Sequence, residues 1–137
     1  AEEKIFTYRD EQKILTEFWT YIEQGQFEKI IGFNSNSFDA PMIVIRSIKH
    51  GVKVNPHFKT KHLDLRNIIF WGQSQKKGTL ADFQEMLGIE FPYSGYRKMH
   101  MSVLWEPLHL KKLRDYLLRD VNVTWCLFKQ INEAGLI

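Results

Sequence analysis

The sequence predicts an α/β fold in which short strands alternate with helices around one core. Three observations predict it. The apolar run Ile30, Ile31 and Phe33 has the length of a buried strand. It passes through four small polar residues, Asn34 to Ser37, into Asp39-Ala40-Pro41, which reads as a helix start. There an acidic N-cap suits the free N–H groups, and proline suits the first helical position. A second strand-to-helix step follows at residues 60–71. A strand that ends in a polar turn and feeds a helix is half of a β-α-β unit. In such sheets ligands bind in the crevice beyond the strands' carboxyl ends. Asp39 stands at that crevice, with Asn34 and Asn36 beside it.

Taken in order, residues 4–8 form a short strand candidate, rich in β-branched and aromatic side chains. Asp10 caps a helix with apolar positions Ile14, Leu15, Phe18 and Ile22, ending at Gly25. The organising strand spans residues 29–34. The helix over residues 41–50 carries Met42, Ile43, Val44, Ile45 and Ile48. Apolar residues on all its sides predict burial between layers. Gly51 stops it. Residues 52–59 form a loop, 60–65 a strand and 66–71 a short helix. Residues 72–78 are polar and basic. Thr79 caps a helix bearing Leu80, Phe83, Met86 and Leu87, stopped by Gly88. Residues 91–101 read as an irregular loop, and the last helix runs from near Pro107 to about Asn132.

A chain of 137 residues suffices for one domain with a real core, and residues 1–137 read as a single domain without repeats or linkers. Hydrophobic residues make up 44% and charged ones 26%, the balance of a soluble globular protein. No apolar run approaches the roughly 20 residues of a membrane span, so no membrane partner is expected. One cysteine, Cys126, cannot form an internal disulfide, which points to a reducing, intracellular setting, the cytoplasm by default. A net charge of +3 permits a polyanionic partner without demanding one. The sequence begins Ala1-Glu2-Glu3 rather than with methionine, as expected of a processed product or a piece of something longer.

The last helix holds the second informative feature. Its apolar stripe reads Leu110, Leu113, Leu117, Thr124, Phe128 and Ile131, and Asp120 falls in phase with it. An ionised carboxylate among core positions is expensive unless a cation or donors meet it. Tyr116 lies one turn earlier on the same side. Asp39 and Asp120 together could converge on hard divalent ions, which prefer oxygen ligands. The plainer reading stands beside this: Asp39 as an N-cap, and Asp120 paired with a structural arginine or lysine. Asp64, at a strand end, reads as a cap for the helix after it, or as a spare metal ligand. The five histidines show no zinc-ligand spacing. Lys76-Lys77 and the basic, aromatic residues 93–100 suit either a strand's phosphates and bases or plain solvent.

Asn34-Ser-Asn-Ser-Phe38-Asp39-Ala-Pro41 resembles the second motif of the DEDD 3′–5′ exonucleases, in the form found in family B DNA polymerases and stand-alone relatives. Tyr116-Leu-Leu-Arg-Asp120 resembles the third motif in its tyrosine form. His62-Leu-Asp64-Leu65 is similar to the family's fifth strand, and Thr79 to Gly88 to the helix that follows. The resemblance implies a ribonuclease-H-like, three-layer fold and removal of nucleotides from single-stranded 3′ ends of nucleic acid with two Mg2+ or Mn2+ ions. Carried over, Asp39 and Asp120 are metal ligands and Tyr116 orients the attacking water. Asn34, Asn36 and Phe38 shape the pocket for the terminal nucleotide.

The family's first motif, Asp-x-Glu on the first strand, does not occur in these 137 residues. The resemblance therefore implies a sheet lacking its first two strands, with an unpaired edge beside the organising strand. Three accounts fit: an N-terminally incomplete sequence, a minimal variant whose strand at residues 4–8 takes the vacant place, or a homodimer that pairs through the open edge. In each, this chain alone should be inactive or weak. Two rivals remain. One is a catalytically dead ribonuclease-H-like module that binds nucleic acid or a protein. The other is an unrelated small α/β domain.

Overall fold

Strands β1 (Ile30–Gly32) and β2 (His62–Asp64) pair in parallel, with Ile30 opposite His62, Ile31 opposite Leu63 and Gly32 opposite Asp64. This two-stranded sheet belongs to a computed structural model that describes residues 2–7, 9–73, 78–89 and 110–137. Parallel pairing demands a long crossover. Here it carries α2 (Asp39–Lys49) and α3 (Phe58–Lys61), after α1 (Glu11–Gly25) and before α4 (Leu65–Ile69). The chain divides into two units, Ala1–Gly72 and Gln73–Ile137. The second holds α5 (Leu80–Met86) and α6 (Leu110–Glu133). A mixed helix and strand architecture with a small parallel sheet is compatible with the expected α/β class.

The core of the first unit is aromatic. Leu15, Trp19, Phe58 and Leu65 are buried, and the rings of Phe18, Trp19 and Phe58 meet edge to face. Two polar links tie α1 to α2. Trp19 Nε1–H donates to Ser47 Oγ at 2.8 Å, and that hydroxyl donates on to the Ile43 carbonyl at 2.7 Å. Ser47 is fully buried, so a helix position that looks polar is part of the core. At the other end of α1, Glu11 takes Arg46 Nε at 2.6 Å, Arg46 Nη2, and His50 Nε2 at 2.7 Å. The Arg46 guanidinium, then His50, holds the Glu11 carboxyl down at about 2.

Several expectations need correction. Residues 4–7 form no strand: Phe6 instead packs edge to face on Phe18 and Tyr21 of α1. Burial of one aromatic ring against the helix wins over extension without a pairing partner. These residues therefore do not fill the place beside β1; Tyr8 lies outside the described residues. Helix α2 is not buried on all sides, since Met42, Ile45 and Ile48 are exposed. It turns Ser47 and Arg46 towards α1, and a two-stranded sheet is too narrow to cover the rest. Asp39 is the first residue of α2 rather than its N-cap, which is Phe38, and Pro41 is third. Both fit the first turn, where N–H groups are unpaired within the helix and negative charge is favoured.

In the second unit the short helix is capped as expected. Thr79 Oγ1 accepts from the Asp82 N–H at 3.2 Å, and the Asp82 carboxylate accepts from the Thr79 N–H at 2.8 Å. Helix α6 buries Leu113, Arg119, Val123, Leu127 and Ile131. The stripe is therefore rotated from the expected one: Val123 and Leu127 are buried instead of Thr124 and Phe128, and Leu110 is exposed. The expected loop at residues 91–101, the basic groups at residues 76–77 and 93–100, and the helix start near Pro107 lie outside the described residues. Among the described residues no helix is long and apolar enough to cross a membrane.

Two outcomes follow from the α1–α2 links. Ser47→Ala leaves the buried Trp19 N–H without its acceptor and should cost about 1–3 kcal/mol in urea unfolding; an unchanged midpoint would show that the bond is dispensable. Glu11 has a folded pKa of about 2 against an ordinary 4.5. Its contribution is therefore present above 4.5 and lost as the pH falls from there towards 2. Glu11→Gln should flatten the stability–pH curve across that window, and curves of equal slope would contradict the assignment.

Candidate functional site

One candidate region, in the first unit, is the loop between β1 and α2. It is held by Asp64, the last residue of β2, which is buried at 5% exposure. Its Oδ1 accepts from the Asn34 N–H at 2.8 Å and its Oδ2 from the Asn36 N–H at 2.9 Å. The same carboxylate caps α4, with Oδ1 accepting from Arg66 N–H at 3.0 Å and Asn67 N–H at 3.4 Å. One carboxylate thus serves four backbone donors. The expected cap is there, and it reaches 30 residues back to fix the loop.

Two more features shape that loop. Ser35 is buried, and its Oγ shares a 2.7 Å hydrogen bond with His62 Nε2. A Cβ on Gly32 would lie 2.3 Å from Ser35 Oγ, so the strand needs glycine where the loop folds back over it. Asn34 adopts φ +57°, a left-handed conformation that asparagine tolerates better than most residues. The backbone then closes with Ser37 N–H on Asn34 C=O at 3.3 Å and Ala40 N–H on Ser35 C=O at 2.9 Å. Burial pushes His62 below its ordinary pKa, although the nearby Asp64 and Asp39 carboxylates pull the other way. His62 therefore resists protonation, and this contribution is present above its ordinary pKa and fades as the pH falls through the lowered one.

The result is an exposed loop on a rigid base. Asn34, Asn36, Phe38 and Asp39 are all exposed, with Phe38 at 61%. They lie together at the carboxyl end of β1, where the sequence expects them.

A separate candidate region lies in the second unit. A cleft of about 450 Å3 is lined by residues 79–82 at the start of α5 and by Tyr116, Arg119 and Asp120 of α6. Tyr116 and Asp120 share it, as their four-residue spacing predicts. Arg119 sits between them, and its guanidinium carbon lies 4.5 Å from the Tyr116 ring centroid. Its Nε and Nη2 donate to Asp120 Oδ1 at 3.1 and 2.7 Å. The arginine expected by the plainer reading of Asp120 is thus its immediate neighbour. Asp39 belongs to the first unit, and Tyr116 and Asp120 belong to the second.

Sequence reading missed Arg119 and the reach of Asp64. Arg119 was detectable as the residue in phase with Val123, Leu127 and Ile131 at intervals of four. The Asp64 clamp had no such signal, because backbone N–H groups are its partners and every residue but proline has one.

Among the described residues no group of three or more histidine, cysteine or acidic side chains could hold a metal ion. A closed protein cage is therefore not what these residues offer. Separate carboxylates do suit magnesium-type ions, which are held by one or two carboxylates together with water and substrate phosphates. The donor chemistry of Asp39 and Asp120 fits that type of ion.

Comparison with known proteins gives a family. A family model described as a predicted 3′–5′ exonuclease related to the exonuclease domain of PolB matches residues 4–134. An uncharacterized protein of Methanocaldococcus jannaschii is 34% identical over 138 aligned positions, covering 93% of this chain and 77% of that protein. No solved structure matches.

The clamp can be tested directly. Asp64→Asn keeps the shape but loses the charge that the four donors share. It should cost roughly 1.5–3 kcal/mol of stability. Hydrogen exchange at the Asn34 and Asn36 amides should accelerate by about tenfold or more. Unchanged protection at both amides would show that the loop holds itself.

Proposed function

Because the chain belongs to the family of predicted 3′–5′ exonucleases related to the exonuclease domain of PolB, we propose that it is a ribonuclease-H-like, metal-dependent exonuclease domain. Its substrate is a single-stranded 3′ end of nucleic acid, and its reaction is phosphodiester hydrolysis. The observation that carries this reading is the Asp64-clamped loop, which presents Asp39 at the first position of α2 beyond the carboxyl end of a parallel strand. Ligand crevices of α/β sheets lie at such places.

In this reading Asp39 and Asp120 are the carboxylates for Mg2+ or Mn2+. Such ions, when bound, supply charge neutralisation for the attacking and leaving oxygens. The chain's own residues bind and orient. Asn34, Asn36 and Phe38 receive the terminal nucleotide, with the exposed Phe38 ring as a surface on which a base stacks. Tyr116 orients the water for attack along the line of the scissile bond. The clamp keeps the loop from rearranging when substrate arrives, so less ordering cost falls on binding.

A second reading has its own support. The Arg119 guanidinium balances the Asp120 charge without any ion, and Asp39 is favourable in the first turn of α2 simply as an anion. A catalytically silent module that binds nucleic acid or protein would keep both features.

Magnesium-dependent digestion of 3′-labelled single-stranded DNA separates the two. It is measured on a form of the protein in which an Asp-x-Glu segment is also supplied, since this chain alone is expected to be inactive or weak. Asp39→Asn and Asp120→Asn should each reduce the rate by at least about a hundredfold, as expected for loss of a residue that acts on transition-state charge, with folding retained. Digestion unaffected by either change would remove that residue from the mechanism. Strand binding without digestion, equal in wild type and both variants, would favour the silent module.

A further inference from the structure

Arg119 is a charged side chain at 4% exposure, in phase with the buried stripe of α6. Burying a cation is costly unless it is paired with good geometry. Its pairing is unusual. Adjacent residues of a helix do not face one another, yet Arg119 Nε and Nη2 both reach Asp120. The Asp120 side chain is therefore turned towards its neighbour and away from other directions open to it. Both donors go to Oδ1, at 3.1 and 2.7 Å, so Oδ2 stays outside the fork. At the same time the guanidinium covers the Tyr116 ring, with 4.5 Å from its carbon to the ring centroid. Only a planar, delocalised cation stacks by its face while donating from its edge; an ammonium cannot do both.

We infer that Arg119 is a positioning residue that locks the Asp120 carboxylate and the Tyr116 ring into one unit and presents Oδ2 to a divalent cation. This rests on the proposed function, in which Asp120 is a metal ligand. Arg119 touches neither substrate nor ion in this role; it acts through the two residues it holds. The contrary role is that of a competitor. A guanidinium beside a carboxylate repels an incoming dication, and a competing pair must open for the ion to bind. The two roles predict opposite signs.

The test is Mn2+ binding by calorimetry to wild type, Arg119→Lys and Asp120→Asn, each first checked for a cooperative melt. Lysine keeps the charge near Asp120 but loses the fork and the stacking. Its Mn2+ affinity should fall by roughly 10–100-fold, the usual effect of removing a hydrogen-bond partner of a metal ligand. Equal or tighter binding by Arg119→Lys overturns the inference. Wild type that binds Mn2+ no better than Asp120→Asn overturns the metal reading itself, which separates the two failures. A measurement on wild type alone covers the case in which lysine prevents folding. With 15N-labelled arginine, the Arg119 Nε–H resonance should persist through a Mg2+ titration, because a positioning pair stays closed when the ion binds. Its disappearance as Mg2+ is added identifies a competitor and overturns the inference.

Discussion

One buried carboxylate governs the first unit. Asp64 collects four backbone N–H groups from two places, the loop after β1 and the first turn of α4. Hydrogen bonds to a charged acceptor are stronger than neutral ones, and burial raises the penalty for leaving any of them unmade. The consequence is local rigidity where a three-residue strand could not supply it. Gly32 gives the loop room to fold back, Ser35 and His62 close it from beneath, and α2 begins with Asp39 outward. The exposed residues owe their arrangement to the buried ones.

A comparable economy operates in the second unit. The capping box at Thr79 and Asp82 fixes the start of α5, which forms one wall of the cleft. The other wall is one turn of α6, where Tyr116, Arg119 and Asp120 are joined by stacking and by hydrogen bonds. In the second unit the Asp120 carboxylate is thus held by its neighbour, and in the first the Asp64 carboxylate holds the loop that leads to Asp39. In the proposed function such positioning matters, since phosphoryl transfer depends chiefly on positioning and on charge.

Much of this could be read from the residues. The strand, polar turn and helix at residues 30–49, the second strand-to-helix step and the Thr79 cap follow from periodicity and capping chemistry, and all are present. The errors have physical causes. Residues 4–7 have strand composition, but a strand needs a neighbour, and Phe6 found an aromatic face instead. The apolar sides of α2 suggested full burial, yet how much of a helix is covered depends on the width of the sheet, which no local pattern encodes. On α6 two stripes one residue apart each mix apolar and polar residues, and Val123 and Leu127 are buried rather than Thr124 and Phe128. That arrangement also buried Arg119, and with it the pairing that bears on Asp120.

The most direct measurement of the central claim is paramagnetic broadening by Mn2+ of the aspartate side-chain carboxyl 13C signals in the isotopically labelled protein. Asp39 and Asp120 should both broaden at substoichiometric Mn2+, with recovery on adding excess Mg2+, while the clamped Asp64 and the capping Asp82 broaden less. If Asp39 and Asp120 stay sharp, or if only one of them responds, the two carboxylates are not joint ligands of a divalent ion.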